Sequence, residues 1–255
     1  MQEIISVNNS TIKEIRKLDQ KKYRYESQNY LIEGFHLVTE ALQVERHFRY
    51  LLGTPEALEQ LAKQAELNFD DPRIIKINDV ISEHLSHTQH SQNIFMVLKM
   101  HQPRHFNFDY GKWILLDNLS DPGNVGTIIR TADAAGFDGV ILSSESVDLY
   151  NPKVQRAMQG SQFHLGVIKT ELSSAITSFK LANVPVLASV LDPEAKPLDH
   201  FKNIGELALI IGNEAHGIRP ELVDQADQKL YIPIKGKAES LNAAVAAGIM
   251  IYHFA

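Results

Sequence analysis

The sequence predicts two α/β units: a small N-terminal one of about 100 residues and a larger C-terminal one built on a mostly parallel sheet. Three observations lead there. Short β-type apolar runs alternate with helical patterns through the first part of the chain. From Trp113 onward the alternation becomes regular, and several strands are continuous apolar runs, as happens when both faces of a parallel sheet are covered. Between them, HQPRHFNFDY (101–110) interrupts the periodicity with a proline and mixed polar and aromatic residues. The expected domains are therefore 1–105 and 106–255.

In order along the chain, Asn9 or Ser10 can cap a helix carrying Ile12, Ile15 and Leu18 at helical spacing. The apolar stretch 30–32 leads through Gly34 into the helical pattern HLVTEALQ. RYLLG (49–53) reads as a strand and PEALEQLAKQAEL as a helix with Pro55 in its first turn. RIIKI (73–77) and IFMVLKM (94–100) are β-type runs flanking a short helix, NDVISEHL. In the second unit the strand candidates are 113–118, 139–143, 163–169, 184–191, 207–213 and 229–234, with helices between them. A last helix at about 240–253, SLNAAVAAGIMIYHF, closes the pattern.

Composition narrows the chemistry. The 255 residues contain no cysteine, which excludes disulfides, thiolate metal sites and cysteine nucleophiles. No run approaches the roughly 20 apolar residues that span a bilayer, and MQEIISVNNSTIKEIRK has no apolar stretch of a secretory signal. A cytoplasmic protein is expected. His84, His87 and His90 are regularly spaced but lie on a polar segment, so no metal is expected. Net charge is −6, yet Lys13, Arg16, Lys17, Lys21, Lys22 and Arg24 cluster around only Glu14 and Asp19. That cluster is either a solvated helix face or a phosphate-contacting patch.

Ligands of such sheets bind beyond the carboxyl ends of the strands, so the loops there carry the chemistry. In LLDNLSDPGNVGTIIRTADAAGF (115–137) a helix starting near Asn124 or Val125 exposes backbone N–H groups. Arg130 follows beside Ile128, Ile129 and Ala132, where a guanidinium needs an acceptor. Asn124 also reads as a plain N-cap and Arg130 as a surface or ion-paired arginine. ALIIGNEAHGIRPEL (208–222) delivers Gly212, Asn213 and Glu214 to a turn before a helix opened by Pro220. In YIPIKGKAESLNAAVAAGIMIY (231–252) Ser240 is the expected N-cap, and Asn242 is out of place among alanines. AAVAAG allows close packing of a helix or a partner subunit.

Together, DPGNVGTIIRTADAAGF, IGNEAHGIRPEL and IPIKGKAESLNAAVAAGI resemble, in this order, the three signature motifs of the SpoU (TrmH) family of RNA ribose 2′-O-methyltransferases, of the SPOUT class. LYNPKVQRAMQGSQFHL (149–165) resembles that family's Asn-Pro-Lys linker, and YLIEGFHLVTEAL (30–42) is similar to the L30e-like substrate-binding domain often fused upstream. Ala215 and Ala243 depart from the usual residues without removing a reactive group. The resemblance implies a C-terminal trefoil knot, a homodimer, S-adenosylmethionine as cofactor and RNA as substrate. It implies cofactor-binding positions at Ser189, Leu191, Gly212, Ile232 and Leu241, and a catalytic set of Asn124, Arg130, Glu214, Ser240 and Asn242. It makes the basic cluster a candidate RNA contact and favours 23S ribosomal RNA over transfer RNA. A non-catalytic RNA-binding module of the same fold is the alternative within the family. A Rossmann-type NAD oxidoreductase is the remote one: Glu145 stands where a ribose-binding acid would, but DPGNVG lacks the glycine spacing of GxGxxG.

Overall fold

The computed structural model describes residues 2–100, 108, 110–202, 204–213 and 215–255. They form two compact units, one of Met1–Gln102 with Asp148–Phe163 and one of Pro103–Val147 with His164–Ala255. The first contains β1 (Gln2–Ile4), α1 (Ser10–Lys17), α2 (Lys21–Ser27), β2 (Asn29–Glu33), α3 (Phe35–Gln43), β3 (Phe48–Gly53), α4 (Pro55–Ala62), β4 (Ile74–Ile77), α5 (Asp79–Leu85) and β5 (Ile94–Lys99). The chain continues through β6 (Lys112–Leu116), α6 (Pro122–Ala134), β7 (Gly139–Leu142), α7 (Pro152–Met158), β8 (Gly166–Lys169) and α8 (Leu172–Leu181). It ends with β9 (Val186–Ser189), β10 (Lys196–Pro197), β11 (Leu207–Ile211), α9 (Pro220–Val223), β12 (Gln228–Tyr231) and α10 (Ala243–His253). Among the described residues no helix is long and apolar enough to cross a membrane.

The first sheet runs β1-β4-β3-β5-β2, with β5 antiparallel to both neighbours and the rest parallel. Successive side chains of a strand point to opposite faces, and β5 is apolar and buried from Ile94 to Leu98 because both faces are covered. Ile94, Met96 and Leu98 join a core with α3 and α4, while Phe95 and Val97 join another with Ile12, Ile15, Ile81 and Leu85. Asn9 caps α1 by accepting from Thr11 N at 2.8 Å, as one of the two expected caps.

The segment that the sequence reads as a linker contains α7 and folds with the first unit. Tyr150 and Phe163 pack against the α3–α4 core. Asp148 forms a buried ion pair with Arg24, whose Nη2 donates at 2.5 Å and Nε at 3.2 Å. Arg24 Nη1 donates to the carbonyls of Leu18 and Asp19 at 2.6 and 2.8 Å. Arg24 is only 3% exposed, which removes it from the candidate RNA contacts. A guanidinium is tolerated there because each of its nitrogens has an acceptor.

The second sheet is wholly parallel, in the order β10-β12-β9-β11-β6-β7-β8. Leu115, Ile141, Ile168, Val186, Ala208 and Ile210 face α8, whose Leu172, Ile176 and Phe179 complete that core. The alternate residues Ile114, Leu116, Val140, Leu142, Leu209 and Ile211 are buried too. α10 packs on α6.

Local chemistry moves several boundaries. α6 starts at Pro122, earlier than expected, because Asp121 Oδ1 accepts from Asn124 N at 2.7 Å and caps it. α10 starts at Ala243 rather than Ser240: Asn242 Oδ1 accepts from Ala244 N and Val245 N at 3.0 and 3.3 Å. The asparagine that looks foreign inside a helix is its cap, and Ser240 lies two residues before it in the loop. The strand expected over 163–169 shortens to β8, since Ser161–Phe163 forms a 3-10 turn in the first unit.

Candidate active site

At the carboxyl ends of β9, β11 and β12 the second unit holds a cleft of about 450 Å³. Its walls come from stretches far apart in sequence: 189–191, the loop after β11, 231–234, 240–241 and the first turns of α10. Ser189, Leu191, Gly212, Ile232 and Leu241, the five expected cofactor positions, all line it, and so does Ser240. Size and character suit a small organic ligand, since such pockets span roughly 300–1,000 Å³ with mostly apolar walls and a few polar groups. Ile211, Ile218, Ile232 and Met250 supply apolar surface and Ser189 and Asn213 polar groups. Among the described lining residues there is no lysine or arginine, which is compatible with a cationic sulfonium.

The loop after β11 is held closely. Asn213 and Gly217 exchange backbone hydrogen bonds at 3.1 and 2.8 Å, folding the chain back over Gly212. A Cβ on Gly212 would lie 2.2 Å from Gly217 C and 2.4 Å from Ile218 N, so only glycine fits. Two further anchors come from the end of β6. Asn213 Nδ2 donates to Asn118 O at 2.9 Å. Asp117, fully buried, accepts from Arg219 N at 2.8 Å and from Arg219 Nε at 2.9 Å. Asp117 and Arg219 were not among the expected site residues; the signal was an acid ending the apolar run WILLD.

Of the expected catalytic set, the structure brings Asn124 and Asn242 together, with Asn242 Nδ2 donating to Asn124 Oδ1 at 3.0 Å. One cap residue thus ties the start of α10 to the first turn of α6. Arg130 is solvent-exposed on α6, and its guanidinium has no hydrogen-bond or ion-pair partner among the described residues. Of the two readings of this arginine the surface one fits its placement: its apolar neighbours Ile128, Ile129 and Ala132 are buried while it is exposed. Ser240 is exposed at the cleft. Glu214 lies outside the described residues.

The basic cluster divides. Lys13, Lys17, Lys21 and Lys22 are exposed on α1 and α2, with Lys17 and Lys22 each 5.6 Å from the Tyr23 ring centroid and Lys21 5.6 Å from that of Tyr25. Arg16 is ion-paired with Asp19 at 2.5 Å, and Arg24 is buried. His87 Nε2 lies 2.7 Å from Asp19 Oδ1, and among the described residues no group of acids and histidines is arranged to hold a metal ion.

Comparison with known proteins places this geometry in a family. The SpoU rRNA methylase family matches residues 112–252, and the MRM3-like substrate binding domain matches residues 9–96. The chain is 36% identical over 253 residues to the 23S rRNA (guanosine(2553)-2′-O)-methyltransferase RlmP of Bacillus subtilis, covering 99% of each chain. It is 34% identical over 148 residues to the 23S rRNA (guanosine-2′-O-)-methyltransferase RlmB of Acinetobacter baylyi, covering 57% of this chain and 60% of that one. The AdoMet-bound rRNA methyltransferase from Sinorhizobium meliloti has the same fold, with a TM-score of 0.86 at 30% identity over 99% of this chain and 96% of that one. With its methylase region matched across more than half its length and a relative similar from end to end, the chain belongs to the SpoU rRNA methylase family.

Proposed function

We propose that this protein transfers a methyl group from S-adenosylmethionine to a ribose 2′-hydroxyl of 23S ribosomal RNA. The observation that carries the reading is the convergence of Ser189, Leu191, Gly212, Ile232 and Leu241 on one cleft beside the Asn242–Asn124 contact. Those five positions would hold the cofactor. S-adenosylmethionine, when bound, supplies an electrophilic methyl on a sulfonium whose departure leaves a neutral thioether. The chain's own task is then to bring the hydroxyl close, align it and handle one proton.

Arg130, without a partner among the described residues, presents a planar fork that matches an RNA phosphate bidentately, and so sets the neighbouring ribose. A guanidinium holds its proton tightly and is ordinarily a poor base, so Arg130 is assigned to the hydroxyl and phosphate. Asn242 fixes Asn124, Ser240 contacts RNA at the cleft, and Glu214 orients the arginine or its loop. Lys13, Lys17, Lys21 and Lys22 add substrate contacts on the first unit, in keeping with its match to a substrate-binding domain. Work on ribosomal RNA goes with a cytoplasmic protein, and the knotted C-terminal path belongs to the same reading.

A homodimer through the second unit completes it. α10 is apolar on both sides: Ala243, Ala247, Met250 and Ile251 are buried, while Val245, Ile249 and Tyr252 form an exposed stripe at 52%, 42% and 61%. Residues spaced by four and three lie on one helix face, and such a stripe is ordinarily covered.

The test is methyl transfer from radiolabelled S-adenosylmethionine to transcribed 23S ribosomal RNA and to bulk transfer RNA, followed by mapping of 2′-O-methylated positions. Label in the ribosomal RNA that is lost in Arg130→Ala, with cofactor affinity kept within about threefold, supports the reading. Label confined to transfer RNA overturns the choice of substrate, and none in either overturns the activity.

A further inference from the structure

The first unit contains a second cavity, of about 210 Å³, with polar lining from Arg156, His36, His90, Thr88, Gln92 and Gln159. Most of these groups have partners. Gln92 Oε1 accepts from Phe35 N at 2.7 Å, and His36 Nε2 donates to Gln159 O at 2.9 Å. Glu33, the carboxylate in the lining, accepts from Ser86 Oγ at 2.5 Å, Thr88 Oγ1 at 2.9 Å and His87 N at 3.0 Å. Its oxygens are turned to these three donors, and it forms no ion pair with Arg156.

Arg156 is different. It stands in the last turn of α7, where Val154, Gln155 and Met158 are buried and anchor the helix. The arginine itself is half-buried at the cavity wall, and its guanidinium makes no hydrogen bond or ion pair among the described residues. A partly desolvated guanidinium without an acceptor is a costly arrangement unless a ligand supplies one.

We propose that this cavity docks a backbone phosphate of the RNA substrate, held by the Arg156 fork with the His36 and His90 imidazoles beside it. The inference rests on the reading of RNA as substrate. Two features favour a phosphate over a nucleobase. The volume falls below the roughly 300 Å³ at which small-molecule pockets begin, enough for one tetrahedral group. A guanidinium fork matches a phosphate bidentately, and Arg156 brings one to the lining. The contact is delivered by chain that leaves the methylase region between β7 and β8. The first unit's RNA surface therefore includes a residue outside the 9–96 stretch that matches the substrate-binding family.

The experiment is a salt titration of affinity for transcribed 23S ribosomal RNA, comparing the unaltered protein with Arg156→Gln, Arg156→Lys and His90→Gln. Arg156→Gln should weaken binding roughly tenfold and lower the slope of log affinity against log salt by about 0.7–0.9, one phosphate contact. Arg156→Lys should keep the slope but bind more weakly than the unaltered protein, since an ammonium lacks the fork. His90→Gln, on an exposed loop, should weaken binding less. Unchanged affinity and slope in Arg156→Gln would overturn the proposal. Lost affinity with an unchanged slope would also overturn it, because the contact would then not be to a phosphate. Methyl transfer by the unaltered protein is scored on the same RNA. Its absence fails the parent reading, whereas methylation without a slope change in Arg156→Gln fails the cavity alone.

Discussion

Replacing Asp148 with alanine strands a buried cation. Arg24 and Asp148 have side chains only 4% and 7% exposed, so their pairing belongs to the buried regime rather than the near-neutral surface one. Alanine removes the acceptor for Arg24 Nη2 and Nε, and also for Tyr25 Oη at 3.2 Å and Tyr150 N at 3.3 Å. Arg24 Nη1 keeps the carbonyls of Leu18 and Asp19, which hold the guanidinium in place and hinder its escape to water. Breaking a buried pair from one side costs about 3–5 kcal/mol. With a urea m-value of about 2 kcal/mol/M, the first unit's transition should move down by roughly 1.5–2.5 M. Asp148→Asn, which keeps an acceptor but not the charge, should lose about half as much. Joint replacement, Arg24→Met with Asp148→Leu, should recover most of the loss, because apolar pairs of similar volume commonly match or exceed buried ion pairs. The assay is urea unfolding followed by tyrosine fluorescence and circular dichroism, with the two units fitted as separate transitions. A shift below about 0.5 M in Asp148→Ala, or a double variant no more stable than the single, would refute the argument.

Three further outcomes follow from single contacts. Gly212→Ala should weaken S-adenosylmethionine binding at least tenfold in calorimetry, because its Cβ would meet Gly217 and Ile218 backbone at 2.2–2.4 Å and push aside the loop lining the cleft; affinity within twofold of the unaltered protein would contradict this. Asn242→Ala should lower stability by about 1–2 kcal/mol by removing the α10 cap and should slow methyl transfer, whereas Asn242→Ser should restore the cap without the link to Asn124, so that equal rates for the two variants would locate the effect in that link. Burial, and then the Asp148 carboxylate, push the Tyr25 phenol up to about 12 from its ordinary 10.0. Since the folded value is the raised one, its stabilising contribution is present below pH 10 and disappears as pH rises from about 10 to 12. Phenolate absorbance at 295 nm should show Tyr25 titrating late in the unaltered protein and earlier in Asp148→Asn; no movement would exclude the carboxylate as a cause.

The apolar runs at 113–116, 139–142 and 207–211 were legible as strands because burial on both faces leaves no room for polar alternation. The loops after them were legible as the site because ligands gather at the carboxyl ends of parallel strands. Ser189, Leu191, Gly212, Ile232 and Leu241 were named through family resemblance, and only the fold brings them around one cleft. Other features had no local signature. Arg24 reads as one more cation on a basic surface helix until Asp148, 124 residues away, folds against it. The stretch around α7 reads as a linker because its buried residues complete a core made by α3 and α4 rather than a pattern of their own. Ser240 and Asn242 are both good caps by type, and the choice fell to the residue whose amide also reaches Asn124. Composition and periodicity report what a residue does along its own strand or helix. Charge pairing, the closing of a cleft and the placing of Arg156 at a cavity wall depend on chain that arrives from elsewhere, and only the tertiary structure decides them.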